Sequence, residues 1–138
     1  MELDSLAKNS LDEAVGTMPD GPITMLNLLR FRSDVQYPKG FSPTFAEPQR
    51  AYYEGYAGAF REVAKSVGVE NIEVVLRGKV AAGLVVGCHD AWDDVVIVRY
   101  PNYHSFRRIV ESEQYSGLAD PHRGAAIRDW RLIAMKTA

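Results

Sequence analysis

The adjacent residues His122 and Arg123 are the best candidates for acid–base chemistry in this sequence. They lie in a stretch that we predict to be a loop leading into the last strand. A neutral imidazole beside a permanently charged guanidinium could remove a proton and stabilise the anion that results. In the structural alternative, Arg123 caps a helix or pairs with Glu111 or Glu113, and the imidazole is merely exposed.

Four more side chains are candidates for binding a ligand: Asn27, Tyr56, Arg99 and Tyr115. Asn27 shares a strand parity with apolar residues, so its amide either contacts a ligand or makes a structural hydrogen bond. The two phenols could shape a pocket wall or bind a substrate oxygen, with core packing as the alternative for both. Arg99 lies on a central strand, where its charge needs either Asp93 as a partner or an anionic ligand.

Metal and nucleotide sites are not predicted. Cys88, His89 and Asp90 are suitable ligands, but adjacent side chains diverge and the other two histidines lack a recognised ligand spacing. With a single cysteine, neither an intrachain disulfide nor a thiolate cage can form. No glycine-rich phosphate loop opens a predicted helix. We therefore predict no metal and no cofactor.

The composition argues against several classes of partner. A chain of 138 residues, 46% hydrophobic and 25% charged, fits one globular domain with a substantial core. Its net charge of -2, with scattered basic residues, lacks the positive patch that nucleic-acid binding requires. No apolar stretch is long enough to cross a bilayer, and the amino terminus has no basic leader. We predict a soluble, cytoplasmic protein that binds neither nucleic acid nor membrane.

Apolar periodicity predicts a short helix within residues 1–20 and then the element order β-α-β-β-α-β. The predicted elements are strand 23–31, helix 48–67, extended segment 72–87, strand 92–100, helix 103–113, an irregular or short helical stretch 115–126, and strand 128–135. Gly78 and Gly83 indicate a bulge or bend in the extended segment. Residues 33–47 have no periodicity, which predicts a loop that could act as a lid.

This order is typical of the α+β ferredoxin-like fold, in which a four-stranded antiparallel sheet carries two helices on one face. The strand at 92–100 is apolar on both parities, so both of its faces should be covered. The simplest cover for the second face is the same face of another copy, which predicts a homodimer. We predict a helical extension over residues 1–20 and a single domain over residues 21–138.

Three short segments resemble the domain of unknown function 1330 family: Asn27-Leu28-Leu29, Arg99-Tyr100-Pro101, and Glu113-Gln114-Tyr115 leading to His122-Arg123. The resemblance covers roughly residues 23–135. It implies a dimeric α/β-barrel, formed when two ferredoxin-like sheets pack face to face. The superfamily that this resembles includes cofactor-independent monooxygenases and isomerases that act on small, often aromatic substrates.

The leading hypothesis is therefore a cofactor-independent enzyme with a small-molecule pocket. His122 would be the base, Arg123 and Asn27 would hold the developing anion, and Tyr56 and Tyr115 would shape the apolar wall. The alternative is a non-catalytic dimer that binds a metabolite. Haem binding is a third hypothesis, because some relatives of such barrels hold haem through a histidine, and His104 or His122 would be the ligand.

Overall fold

The computed structural model describes residues 3–137 and contains one four-stranded sheet with its helices. Four helices and four strands follow one another, helix α2 consisting of three consecutive segments and α4 of two. The bounds are α1 Lys8–Ala14, continued by a 3-10 turn at Val15–Thr17; β1 Ile23–Phe31; α2 Pro48–Arg50, Ala51–Tyr56 and Ala57–Ser66; β2 Glu73–Lys79; β3 Asp94–Tyr100; α3 Tyr103–Val110; α4 Tyr115–Ala119 and Asp120–Ala126; and β4 Ile127–Met135.

The strands pair in the order β2-β3-β1-β4, and every pair is antiparallel. This order confirms the predicted α+β fold with a four-stranded antiparallel sheet. Asn27 lies at the middle of the central strand β1, opposite Val96 of β3 and Leu132 of β4. Residues that face each other across strands share a sheet face, so Asn27, Val96 and Leu132 all point toward the helices.

One face of the sheet carries the core. The side chains of β1 alternate strictly, because Ile23, Met25, Asn27, Leu29 and Phe31 are buried while those between them are only partly buried. Helices α2 and α3 cover this helix side of the sheet, and their inward residues join the same core cluster. They include Tyr52, Val63, Phe106 and Ile109.

Strand β2 is shorter than the sequence predicted. It ends at Lys79, where its partner β3 begins with Asp94, so the segment from 80 to 93 lies outside the sheet. In this segment Leu84 and Val85 are 92% and 97% exposed. The predicted bulge exists but sits between Val74 and Leu76, rather than at either glycine.

The amino-terminal segment also differs from the prediction, since α1 begins at Lys8 and the residues before it pair with β4. Trp130 N donates to the carbonyl of Leu3 at 2.5 Å, and Leu3 N donates to the carboxylate of Asp129 at 2.7 Å. The residues at positions 1, 2 and 138, which the predicted domain boundaries include, lie outside the described residues. Between residues 3 and 137, no helix has the length and apolar character to cross a bilayer.

Candidate functional site

A cavity of about 220 Å³ lies between helix α2 and the helix side of strands β2 and β3. We call it the tyrosine cavity, because four of its wall residues are tyrosines. It is lined by Asn27, Tyr52, Tyr53, Tyr56, Ala57, Phe60, Arg61, Ile72, Val74, Arg77, Val96, Val98 and Tyr100. Helix α2 supplies one wall and the sheet supplies the other.

The aromatic wall comes from the second segment of α2, which is a π-helical turn at Ala51–Tyr56. Such turns occur as short insertions in α-helices and often at functional sites. The rings of Tyr52 and Tyr56 stack with centroids 5.1 Å apart, and Phe60 packs against Tyr56 at 5.8 Å. The sequence predicted this aromatic stripe, and the structure shows that it serves both the core and the cavity.

Two hydroxyl groups of the cavity wall have no partner. Neither Tyr52 nor Tyr100 makes a side-chain hydrogen bond with another residue in the range 3–137, although both are more than nine-tenths buried. No fully buried side-chain nitrogen or oxygen among these residues lacks a partner, so both hydroxyl oxygens retain some accessible surface, and both residues line the cavity. Burial raises the pKa of both phenols, which therefore remain hydrogen-bond donors.

The charge at the cavity is positive. Arg61 and Arg77 line it, and within the described part of the chain no carboxylate does. The guanidinium carbon of Arg77 lies 3.4 Å from the centroid of the Tyr53 ring. The Tyr53 hydroxyl in turn donates to the buried carboxylate of Asp94 at 2.5 Å, which fixes the ring under the arginine.

Asn27 is buried as predicted and also borders the cavity. Its amide nitrogen donates to the carbonyl of Val96 at 3.1 Å, and its oxygen accepts a hydrogen bond from the indole nitrogen of Trp130 at 3.1 Å. Both ends of the amide thus have partners on the two neighbouring strands. These contacts support the structural alternative, in which Asn27 joins the strands beneath the cavity.

Tyr115 stands behind the cavity wall. Its hydroxyl lies 3.0 Å from that of Tyr56, and both groups are buried. Burial raises the pKa of Tyr115 to about 12, while the nearby charge of Arg123 opposes that rise. Burial also raises the pKa of Tyr56 well above its ordinary value. The pair therefore joins the cavity wall to helix α4 by a hydrogen bond between neutral phenols.

His122 lies in helix α4, within the stretch 115–126 that was predicted to be irregular or short helix, so its placement in a loop is wrong. The structural alternative of an exposed ring is also wrong, because His122 is only 4% exposed. Its Nδ1 lies 2.7 Å from the Tyr37 hydroxyl, and the rings of Tyr37, Phe41 and Phe45 pack edge-on against the imidazole. We call these residues, with Gly55 on the remaining side, the His122 box. Burial lowers the pKa of His122, because the charged form would lose its hydration.

The aromatic residues of the box come from the stretch that the sequence identified as a loop. It is held against α4 by backbone hydrogen bonds from Arg32 N to Ala126 O at 2.8 Å and from Gln36 N to Ala125 O at 3.1 Å. Across the box, a β-carbon added at Gly55 would lie 2.5 Å from His122 Nδ1. Helices α2 and α4 can approach this closely only because residue 55 has no side chain.

Arg123 is buried beside the box, and its partner differs from the predicted ones. It pairs with Asp120, one turn earlier in the same helix, at 2.8 Å rather than with Glu111 or Glu113. Its guanidinium carbon also lies 4.9 Å from the centroid of the Trp130 ring, and it donates to a backbone carbonyl of the amino-terminal segment. Since residues 120–126 are helical, an (i, i+3) carboxylate is the nearest available partner.

Arg99 lies apart from all of these residues. It pairs with Glu73 of the neighbouring strand at 2.8 Å, and both side chains are exposed. The expected partner, Asp93, instead accepts a hydrogen bond from Phe31 N at 2.8 Å. The charge of Arg99 is thus paired, as one alternative required, but with a different carboxylate, and its side chain projects from the sheet face opposite the helices.

No protein-family model matches this chain, and no curated protein matches it either. Among solved structures, a protein of unknown function from Rhodopseudomonas palustris aligns with a TM-score of 0.81 and 28% identity over 100% of this chain and 98% of its own. Its methylated form gives 0.80 and 29%, over 99% and 96%. A dabb family protein with a ferredoxin-like fold from Mesorhizobium loti gives 0.51 and 9%, over 86% and 99%.

The fold is ferredoxin-like. Resemblance to the domain of unknown function 1330 family stays a prediction, since no family model matches. Similarity to the Rhodopseudomonas palustris protein extends over the whole chain, including the amino-terminal helix, but that protein is itself described only as one of unknown function. The site must therefore be interpreted from its own geometry.

Two cavity residues that sequence reasoning missed are Arg61 and Arg77. A bulge at Val75 explains the second, because Val74 and Arg77 both lie opposite residues of the helix side, Val98 and Val96. In a regular strand, positions 74 and 77 would point to opposite faces. The sequence of residues 74–77, Val-Val-Leu-Arg, does not indicate where such a bulge occurs.

Proposed function

We propose that this protein binds a small, largely apolar organic molecule in the tyrosine cavity. The observation that carries the proposal is an aromatic cavity with two buried hydroxyls, those of Tyr52 and Tyr100, that have no hydrogen-bond partner among residues 3–137. A dry engineered cavity of about 150 Å³ holds benzene, whereas pockets for drug-sized ligands start at about 300 Å³. At about 220 Å³, this cavity suits a molecule with one ring and short substituents.

Binding without catalysis is the function that the geometry supports best. The lining contains tyrosines with raised pKa values, arginines and one amide, so it has no group that changes charge near neutral pH. A proton acceptor would have to come from His122, whose ring is packed in its own box and does not line the cavity. No histidine of the described chain lines the cavity, so haem ligation has no support there.

A cofactor-independent enzyme, either a monooxygenase or an isomerase, is the second candidate. The observation that favours it is the hydrogen bond of 3.0 Å between Tyr56 in the cavity wall and Tyr115, which lies beside Arg123. This contact connects the cavity wall to helix α4, which carries His122. The catalytic roles of His122 and Arg123 remain a hypothesis, which requires the loop over the box to open.

The test is binding of toluene and p-cresol to the protein. Binding is measured by two-dimensional NMR of the backbone amides and by calorimetry. We expect both probes to shift amides of α2 and β3, and we expect Ala57→Phe, which fills the cavity, to abolish the shifts. Ala81→Phe is the matched control, because Ala81 is exposed outside the sheet. Shifts that persist in Ala57→Phe, or no shifts at all, would contradict the proposal.

The same samples separate the two candidate functions. A binder leaves the probe chemically unchanged, whereas a monooxygenase consumes dioxygen and an isomerase alters the bound compound. Chromatography of the recovered ligand and an oxygen electrode report these changes. Turnover that disappears in His122→Ala would support the catalytic hypothesis, and turnover unaffected by that substitution would remove His122 from the mechanism.

We also propose that the protein forms a homodimer through the second face of the sheet. On this face Leu26 and Leu28 of β1 are flanked by Ile133 of β4, which is 47% exposed, and no helix of the described chain covers them. Sedimentation velocity tests the proposal. We expect Ile133→Lys to yield monomers and Leu118→Lys, at an exposed position on α4, to leave the dimer intact; a monomeric wild type would overturn it.

A further inference from the structure

The tyrosine cavity has a charge that its surroundings do not balance. The chain carries a net charge of -2, yet the two charged residues in the lining, Arg61 and Arg77, are both cations. Two exposed arginines elsewhere have carboxylate partners: Arg50 pairs with Glu54 at 2.5 Å and, as described, Arg99 pairs with Glu73. Neither cavity arginine has an ion-pair partner among the described residues.

Arg77 is held in an orientation that leaves donors available. Its guanidinium carbon lies over the Tyr53 ring, and its N–H groups make no hydrogen bond with a carboxylate or a backbone carbonyl among the described residues. Asp94, which lines a neighbouring pocket together with Arg77, accepts a hydrogen bond from the Tyr53 hydroxyl at 2.5 Å and forms no ion pair with the arginine. Tyr53, held by Asp94, thus contacts Arg77 through its ring rather than through an ion pair.

The bulge at Val75 is what brings this cation to the cavity. Without it, Arg77 would project from the opposite face of the sheet, where Arg99 lies. Bulges commonly re-aim a side chain next to a binding site. The local irregularity therefore places a donor for anions at the mouth of an otherwise aromatic cavity.

We propose that the ligand of the tyrosine cavity is a small monocarboxylate with an apolar body, and that Arg77, assisted by Arg61, binds its carboxylate. The inference rests on the proposed binding function and adds the chemical class of the ligand. Arginine suits this role because its parallel N–H groups match the two oxygens of a carboxylate. The body of the ligand packs on Tyr56 and Phe60, and the free hydroxyls of Tyr52 and Tyr100 accommodate a polar substituent.

The experiment compares benzoate with its neutral isostere benzamide by calorimetry at low and moderate salt. We expect benzoate to bind roughly tenfold more tightly, with the preference shrinking as salt increases. Arg77→Gln should reduce the preference to near one while changing the affinity for benzamide less than about twofold. Arg77→Lys, which retains charge without the planar fork, should be intermediate.

Arg99→Gln is the matched control, since it removes the same charge from the neighbouring strand but on the opposite face. It should leave both affinities unchanged. Because Arg77 and Arg99 are both exposed, each substitution should shift the urea midpoint only slightly, which verifies folding.

The outcomes distinguish the two proposals. If benzamide binds as tightly as benzoate, and Ala57→Phe abolishes both, the cavity is a binding site and the inference about charge is overturned. If Arg99→Gln removes the preference as strongly as Arg77→Gln, the effect is general electrostatics and the inference is again overturned. If benzoate, benzamide and toluene all fail to bind, the proposed function fails together with the inference.

Discussion

Helix α2 takes part in two regions of opposite character. On one side, the tyrosine cavity is open, and the hydroxyls of Tyr52 and Tyr100 have no hydrogen-bond partner among residues 3–137. On the other side, the His122 box is closed by three aromatic rings, and the imidazole is bonded to the Tyr37 hydroxyl at 2.7 Å. In one region two phenol hydroxyls have no partner in the described part of the chain, while in the other Nδ1 of the imidazole is engaged by Tyr37.

This difference separates groups that stabilise the fold from groups that are available to a ligand. A buried polar group that is hydrogen-bonded within the protein contributes to structure. A polar group that faces a cavity without a partner is available to hydrogen-bond a ligand. His122 has the side chain best suited to chemistry, yet it lies in the closed region. Tyr52 and Tyr100 have less reactive side chains, but they are the ones that line the cavity.

The largest loss of stability is expected from a substitution that disrupts the packing of the His122 box. In Gly55→Ala the new methyl group would lie 2.5 Å from His122 Nδ1 and 2.8 Å from its Cγ. We expect the free energy of unfolding to fall by about 1–3 kcal/mol, because helices α2 and α4 must move apart. Urea denaturation measures the loss, and the NMR signals of the His122 ring should shift.

Gly58→Ala, in the same helix, is the matched control. Its added methyl group would meet nothing closer than a side-chain nitrogen of Arg61 at 4.0 Å. We expect a gain of about 0.5–1 kcal/mol, the usual effect of removing glycine from a helix interior. If both variants are stabilised, the packing between Gly55 and His122 is not tight and the box is not closed.

The second effect concerns the hydrogen bond that joins the two regions. Replacing Tyr115 by Phe removes one hydroxyl of the pair 3.0 Å apart and leaves that of Tyr56 unsatisfied in the core. We expect each single variant, Tyr115→Phe or Tyr56→Phe, to lose about 1–2 kcal/mol. In the double variant the losses should be less than additive; additivity within about 0.5 kcal/mol would show that the hydroxyls do not interact.

The third effect is on the pH dependence of stability. Burial lowers the pKa of His122 from its ordinary value of 6.5, so the unfolded chain binds the proton more tightly than the folded protein. The stability is therefore full above about pH 6.5 and is lost as the pH falls toward the lower folded-state pKa. One such group contributes a slope of at most about 1.4 kcal/mol per pH unit.

Urea titrations between pH 7.5 and 5 measure that slope. We expect His122→Gln to be less stable at neutral pH but to show a smaller dependence on pH than the wild type. His104→Gln is the control, because His104 is exposed and its replacement should leave the slope unchanged. An unchanged slope in His122→Gln would mean that the ring is hydrated and the box is open.

The fold could be predicted from the sequence because its signals are local and redundant. Strand 23–31 was predicted with the bounds that the structure shows, since apolar residues bounded by a turn signal define it. Pro48 marked the start of α2 and Gly68 its end, where the structure has the positive φ of 75° that favours glycine. Such patterns need no knowledge of distant contacts.

The site could be predicted only in part, because it depends on contacts that the sequence does not encode locally. Asn27 and Tyr56 do line the cavity, but the side that Arg77 faces depends on the bulge at Val75. His122 became buried because residues 85 positions earlier, around Tyr37, pack on it. A helix also forms where the proline at 121 suggested a loop, since proline is tolerated in the first turn.

The smallest loss of stability is expected for the two hydroxyls that line the cavity. Tyr100→Phe and Tyr52→Phe remove hydroxyls that bond to no residue of the described chain, so each should change the free energy of unfolding by less than about 0.5 kcal/mol. The same chemical change in Tyr56 or Tyr115 should cost several times more. A loss above about 1 kcal/mol in Tyr100→Phe would show that its hydroxyl is structural, and the cavity would then lose the unpaired groups that distinguish it from the box.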